Sequence, residues 1–223
     1  MNIAIDGPAG AGKSTVAQMV AERLGHVYID TGAMYRALAW AVDHHGIPVE
    51  DEAAVATLLG ESTIALKRTE QGQIVLWNDQ DITTEIRTPR VSQYASIVAS
   101  YPLVREQMLH LQRAMASDGN VVMDGRDIGT HVLPDADVKI FLTASIEERA
   151  GRRMAELQQK GISADLESLK QEIAERDKRD SERKAAPLRQ AEDAHLIDTT
   201  GLGLSQVVDR VMQICKQTGE QDS

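Results

Sequence analysis

The chain has 223 residues, 42% hydrophobic and 26% charged, which suits one globular domain with a real core and room for a smaller inserted lobe. A formal net charge of −10 argues against a general nucleic-acid binder, because a phosphate backbone demands a basic footprint; any anionic ligand must be met by locally concentrated arginines. The single cysteine, Cys215, excludes a disulfide framework or cysteine metal site, no apolar run approaches the roughly 20 residues of a membrane span, and Met1-Asn2-Ile3 leaves no room for a signal peptide, so a reduced, cytoplasmic protein is expected.

Asn2-Ile3-Ala4-Ile5-Asp6 is a short, mostly apolar strand, and Val16, Ala17, Val20, Ala21 and Leu24 recur at helical spacing. Between them Gly7-Pro8-Ala9-Gly10-Ala11-Gly12-Lys13-Ser14 matches G-x-x-x-x-G-K-[ST], a loop whose inward N–H groups and following helix dipole cradle phosphate. With Thr15 these residues imply a nucleoside triphosphate, Lys13 reaching its outer phosphates and Ser14 holding Mg²⁺. Val27-Tyr28-Ile29 is a second strand, and a helix from about Thr31 carries Met34, Leu38, Ala41 and Val42. Asp30-Thr31-Gly32 spells the aspartic-protease triplet, but there is no second triplet to face it. Ser62–Lys67 and Gln73–Trp77 flank the turn-like Thr69-Glu70-Gln71-Gly72 and suggest a small hairpin outside the α/β rhythm. A short helix from about Thr88 to Ser100 follows, then a longer one, Tyr101 to Ser117, with Val104, Met108, Leu111 and Met115 on its apolar face.

Asn120–Asp124 and Val138–Leu142 have the apolar composition of buried strands, and Ala194–Asp198 is the last. Ser145 to about Gln159 is helical up to a turn at Lys160-Gly161, Asp165 to about Arg183 is a strongly charged helix, and a closing helix covers about Leu204 to Lys216. Its inward face is Leu204, Val208, Val211 and Cys215, and Thr218 to Ser223 should fray. Strands alternating with helices predict an α/β fold with a parallel sheet covered on both faces. The expected organisation is one domain, with a core of about 1–57, 101–150 and 190–218, a hairpin-containing insert of about 58–100 and a short helical lid of about 151–189.

A phosphate-binding loop serves switches, motors and kinases alike. The Asn-Lys-x-Asp motif that reads guanine is absent, since none of the three asparagines is followed by lysine. Asp198-Thr199-Thr200-Gly201 matches D-x-x-G but comes too late in the chain for a switch. Arginines beside carboxylates fit phosphoryl transfer, whose transition state needs positioning and cationic stabilisation more than acid–base work. Asp124, at a strand end, is placed to bind Mg²⁺ directly or through water. Arg149 and Arg153 share a helix face suited to clamping a triphosphate and its base. Arg176, Asp180 and Arg183 fall at i, i+4, i+7, presenting two cations and an acid. Arg152, Lys178 and Arg179 read as ordinary solvated charges.

Together, the phosphate loop, Asp30-Thr31-Gly32-Ala33-Met34-Tyr35-Arg36, Asp124-Gly125-Arg126-Asp127-Ile128-Gly129-Thr130, Pro134-Asp135-Ala136 with Lys139-Ile140-Phe141-Leu142, and Glu175-Arg176-Asp177 through Ala186-Pro187-Leu188 resemble bacterial cytidylate kinases over nearly the whole chain. The segment near Gly60 to Ser100 resembles the enlarged nucleoside-monophosphate lobe that separates this family from adenylate kinases. The resemblance implies a P-loop NTPase core with an inserted monophosphate-binding lobe and a short helical lid. It implies an enzyme of pyrimidine metabolism; the acidic charge and the lack of a long apolar run argue against nucleic-acid and membrane partners, and a cytoplasmic monomer is expected. Its reaction would be ATP plus CMP or dCMP giving ADP and the diphosphate, with Mg²⁺. Residue by residue, Arg36, Arg126 and Arg183 would hold the CMP phosphate, Ser96, Arg105 and Asp127 would read cytosine, and Arg176 and Asp180 would hold the ribose. Lys13, Arg126 and Arg183 would be catalytic. Thr31 stands where serine is equally expected and would take a phosphate or capping role. Cytosine offers a donor at N4 and acceptors at N3 and O2, so a carboxylate plus an arginine suits it, whereas uracil would turn a carbonyl toward Asp127. A kinase for another monophosphate or for shikimate, and a nucleotide-dependent regulatory protein, stay open at this stage; turnover of a substrate panel separates them.

Overall fold

The structure, a computed structural model, describes residues 1–70 and 72–221. Its contacts divide into two compact units, Met1–Tyr28 with Asp118–Ser223, and Ile29–Ser117.

The first unit is built on a five-stranded sheet in the order β2-β6-β1-β7-β8, with β1 Ile3–Asp6, β2 Val27–Asp30, β6 Val121–Gly125, β7 Val138–Thr143 and β8 His195–Asp198. Strand β1 pairs in parallel with β6 and β7, Asp6 standing opposite Gly125 and Phe141, and β7 pairs in parallel with β8. This is the expected α/β fold, a sheet flanked by helices. Ile3, Ile5, Val122, Ile140 and Leu142 pack with Val16, Val20, Val208 and Val211 of α1 (Lys13–Leu24) and α8 (Leu204–Gln221) in one core. Cys215 is buried there as expected, but Leu204 is exposed and Val207 fills its place. Leu204 opens the helix, where a side chain lies over the preceding turn rather than over the sheet. The predicted fraying from Thr218 is not seen through residue 221, which is still helical; Asp222 and Ser223 lie outside the described residues.

Helices α6 (Ile146–Gln159) and α7 (Leu166–Glu182) form a hairpin with a small core of its own, Ala150, Leu157, Leu169 and Ile173. Both begin on side-chain caps, Ser145 accepting from Glu148 N–H and Asp165 from Ser168 N–H. Helix α7 ends at Glu182, so Arg183 is not a third residue on the helical face of Arg176 and Asp180; its backbone turns out to the extended region as the C-cap.

The second unit contains α2 (Thr31–His44), α3 (Glu52–Gly60), a three-stranded antiparallel sheet β3 (Ile64–Thr69), β4 (Gly72–Trp77) and β5 (Gln80–Asp81), then α4 (Pro89–Val98) and α5 (Pro102–Met115). The expected hairpin is present, Ile64–Thr69 pairing antiparallel with Gly72–Trp77; Gln71, part of the expected turn sequence, lies outside the described residues. The unit is wider than the expected insert of 58–100, because Met34, Leu38, Val55, Val75, Trp77, Val104 and Met108 share one core. Asp30, not Thr31, caps α2: its carboxylate accepts from Ala33 N–H at 2.8 Å. Among the described residues no helix is long and apolar enough to cross a membrane.

Candidate active site

Gly7 follows β1 with φ of 148°, and a Cβ there would collide with the Leu142 carbonyl oxygen, so the phosphate loop leaves the sheet through a position that only glycine fits. The loop ends at Gly12, the left-handed N-cap of α1. The Lys13 ammonium is buried and donates to Pro8 O at 2.8 Å. Burial, then the nearby Arg126, drives its pKa well below the usual lysine value. Ser14 Oγ donates to Asp124 Oδ2 at 2.9 Å, and Tyr28 OH donates to Asp124 Oδ1 at 2.9 Å. A hydroxyl beside an oriented carboxylate is an oxygen-only donor pair of the kind Mg²⁺ takes along with phosphate and water, so these residues fit the ion.

The same unit gathers the expected acceptor-side charges around the ends of β6 and α7. Arg126 Nε donates to Asp180 Oδ2 at 2.9 Å, and Arg183 Nη2 lies 3.3 Å from Asp127 Oδ1. Asp180, Asp127 and Arg183 are buried, and Arg126 is half-buried. Burial alone would raise the Asp180 pKa, but Arg126, Arg176 and Arg183 outweigh it and hold the carboxyl below its ordinary range. Asp6 is also buried; its carboxylate accepts from Ile128 N–H at 2.8 Å and Gly129 N–H at 2.7 Å, and burial pushes its pKa up to about 7.

The arginines of α6 divide differently from the sequence expectation. Arg149 is buried under the phosphate loop, donating to Ala144 O and Ala9 O and pairing in a bidentate fork with Asp177 at 3.0 and 2.6 Å, so most of its donors are committed to the protein. Arg153 is half-buried and pairs with Glu156 at 3.2 Å. Arg152, expected to be a solvated charge, instead reaches Thr199 through Oγ1 and the carbonyl at 3.1 and 3.0 Å, and its Nη1 lies 3.7 Å from where a side chain on Gly12 would begin. Lys178 and Arg179 are exposed as expected. Thr199 is fully buried; its N–H donates to Thr143 O at 2.8 Å and its hydroxyl reaches the same carbonyl at 3.0 Å. Sequence reasoning missed Arg152, Thr199, Tyr28 and Asp6. Only Asp198-Thr199-Thr200-Gly201 left a signal, as the D-x-x-G string set aside as coincidence.

In the second unit Arg36 Nη2 pairs with Asp30 Oδ2 at 3.0 Å, close to the start of α2. Arg105 is buried, donates to Ala99 O at 3.1 Å and lies over the Tyr35 ring at 5.6 Å. Ser96 and Thr31 are buried as well.

A model of the family described as cytidylate kinase matches residues 3–217. The cytidylate kinase of Geobacillus kaustophilus is 58% identical over 217 residues, 97% of each chain. That of Shouchella clausii is 53% identical over 220 residues, 99% of this chain and 98% of its own. Among solved structures, a gluconokinase from Sinorhizobium meliloti superposes with a TM-score of 0.51 at 16% identity, covering all of this chain and 97% of that one, a likeness of fold alone. With a family match running almost end to end and relatives above half identity, the chain belongs to the cytidylate kinase family.

Proposed function

We propose that the chain transfers the γ-phosphoryl group of ATP to CMP or dCMP, releasing ADP and CDP or dCDP. The observation that carries this reading is the side-by-side placement, in one unit, of a phosphate loop with its Lys13 and of the arginine–carboxylate pairs Arg126–Asp180 and Arg183–Asp127. Residues Gly7 to Thr15 hold the ATP phosphates through loop N–H groups, and Lys13 neutralises charge as it moves onto the bridging oxygen. Mg²⁺, when bound, neutralises phosphate oxygens and fixes their geometry, and Ser14 and Asp124 are the residues that would hold it. Asp180 accepts from Arg126 Nε at 2.9 Å and Gly125 O accepts from its Nη1 at 3.3 Å, so the guanidinium that would meet phosphate is oriented before substrate arrives.

Following the family pattern, Arg36, Arg126 and Arg183 bind the CMP phosphate, Ser96, Arg105 and Asp127 read cytosine, and Arg176 and Asp180 hold the ribose. Thr31, relieved of capping by Asp30, contacts the phosphate. Arg149 shapes the loop from beneath, and Arg153, tied among the described residues only to Glu156, is the more available of the two for ATP. The protein works as a cytoplasmic monomer on free nucleotides, without nucleic acid or membrane. A coupled ADP-release assay over CMP, dCMP, UMP, AMP and shikimate tests the reading. CMP and dCMP should lead, and faster turnover of any other acceptor overturns it. Elution at twice the 24.4 kDa chain mass would overturn the monomer.

A further inference from the structure

Asp6 closes β1 and is the residue directly before Gly7, yet its carboxylate serves a segment more than 120 positions away. Its two oxygens accept the N–H groups of Ile128 and Gly129, the first two of the π-helical turn Ile128–Val132. The opening N–H groups of any helical turn lack partners within the turn and must find an acceptor. The usual acceptor is the side chain at the N-cap, and here the N-cap is Asp127, a residue type well suited to the task. Asp127 makes no capping bond; its carboxylate faces Arg183 instead. The two N–H groups are taken by Asp6. The turn is also pressed tightly into place, since a Cβ on Gly129 would lie 3.1 Å from Lys139 Cδ and 3.4 Å from Asp6 Oδ2.

We propose that Asp6 is a positioning residue of the phosphoryl transfer. By capping the turn after β6 it fixes Arg126 and Asp127, the two residues just before the turn, in register with the phosphate loop. This rests on the acceptor roles proposed above for Arg126 and Asp127. The Asp6→Asn variant tests it, because an amide offers one acceptor oxygen for two N–H groups and turns an NH₂ toward the other. The KM for CMP should rise roughly tenfold or more, as misplaced groups near the reacting centre cost at least that, and the preference for CMP over UMP should fall. The KM for ATP should move by less than about threefold. Gly129→Ala, whose Cβ would press on Lys139 and on Asp6 Oδ2, should give the same split between the two nucleotides, and it carries the test should Asp6→Asn fail to fold.

A role in folding alone predicts equal losses for ATP and CMP together with a lower melting temperature, and that result overturns the proposal. Asp127→Asn is measured alongside. If it leaves CMP affinity and selectivity intact, the acceptor reading fails and the inference falls with it. If Asp127→Asn impairs CMP while Asp6→Asn and Gly129→Ala do not, only the positioning role is overturned.

Discussion

Replacing Asp180 with asparagine removes one negative charge from among Arg126, Arg176 and Arg183. The carboxylate is 4% exposed and binds Arg126 Nε at 2.9 Å. Removing one partner of a buried ion pair costs about 3–5 kcal/mol, since the surviving charge is left uncompensated. Arg126 retains 18% side-chain exposure and the amide keeps an acceptor oxygen, so the loss falls at or below the bottom of that range, about 2–3 kcal/mol near neutral pH. For a chain of this length that lowers the melting temperature by roughly 5–10 °C. The pH dependence has a definite sign. The native Asp180 pKa lies below its ordinary value of 3.8, so the stabilisation is present above about pH 4 and is lost as pH falls through the native pKa. Urea unfolding of both proteins, from about pH 7 down to about pH 3, should show a constant gap that narrows only below about pH 4. The variant should also lose kcat/KM for CMP, because a neutral amide holds Arg126 Nε more weakly than the carboxylate does. A gap under about 0.5 kcal/mol, or one that stays unchanged below pH 4, would refute the argument.

Lys13→Met should lower kcat by on the order of 10³-fold while leaving nucleotide-free thermal stability unchanged or raised, because the native fold bears the cost of burying that ammonium; a clear drop in melting temperature would contradict the burial argument. Tyr28→Phe removes the hydroxyl that orients Asp124, so the Mg²⁺ concentration for half-maximal rate should rise about tenfold, and an unchanged Mg²⁺ titration would dismiss the role. Asp6 has its native pKa raised from 3.8 to about 7, so between those values the unfolded chain has released a proton that the native one still holds, and this group lowers stability as pH rises. Asp6→Asn should therefore gain stability relative to the parent between about pH 4 and pH 7 in urea unfolding, and a difference that is flat with pH rules this out.

The elements that declared themselves in sequence are those whose signal is local. The phosphate loop, α1 and the strands around Ile3, Val122 and Ile140 carry apolar runs bounded by glycine or by a capping residue, and each forms where that pattern lies. Helix α3 was overlooked although Asp51 caps it and Val55, Ala56 and Leu59 form its buried side; the segment is only nine residues long and its apolar face is shared with α5. Two adjacent capping types, Asp30 and Thr31, cannot be ranked without knowing at which residue the backbone enters the helix. Arg152 shows the other limit. By spacing it is an i,i+4 partner of Glu148, and that pair does form, but its second partner, Thr199, is 47 positions away and becomes a neighbour only once β7 and β8 align.

The charge balance looks paradoxical for an enzyme whose two substrates are polyanions, and the pairing pattern resolves it. Arg36, Arg126, Arg149 and Arg183 are each held by an aspartate at 2.6–3.3 Å, so the positive groups are already oriented but locally compensated. Arg149 gives its other donors to Ala144 O and Ala9 O, and the phosphate roles proposed for Arg36, Arg126 and Arg183 gain from guanidinium forks held in advance, which spares the reorganisation a flexible lysine would require. The compensation has a cost, because each aspartate weakens the ground-state attraction for the incoming nucleotide. Neutralising Asp177 should therefore strengthen nucleotide attraction at low salt while loosening Arg149 and the phosphate loop above it, so that KM for ATP falls or holds while kcat declines. Measured from low to high salt, a variant whose kcat is intact would show that Asp177 only neutralises Arg149, and a parallel loss of kcat and ATP affinity would show that its pairing with Arg149 serves folding rather than preorganisation.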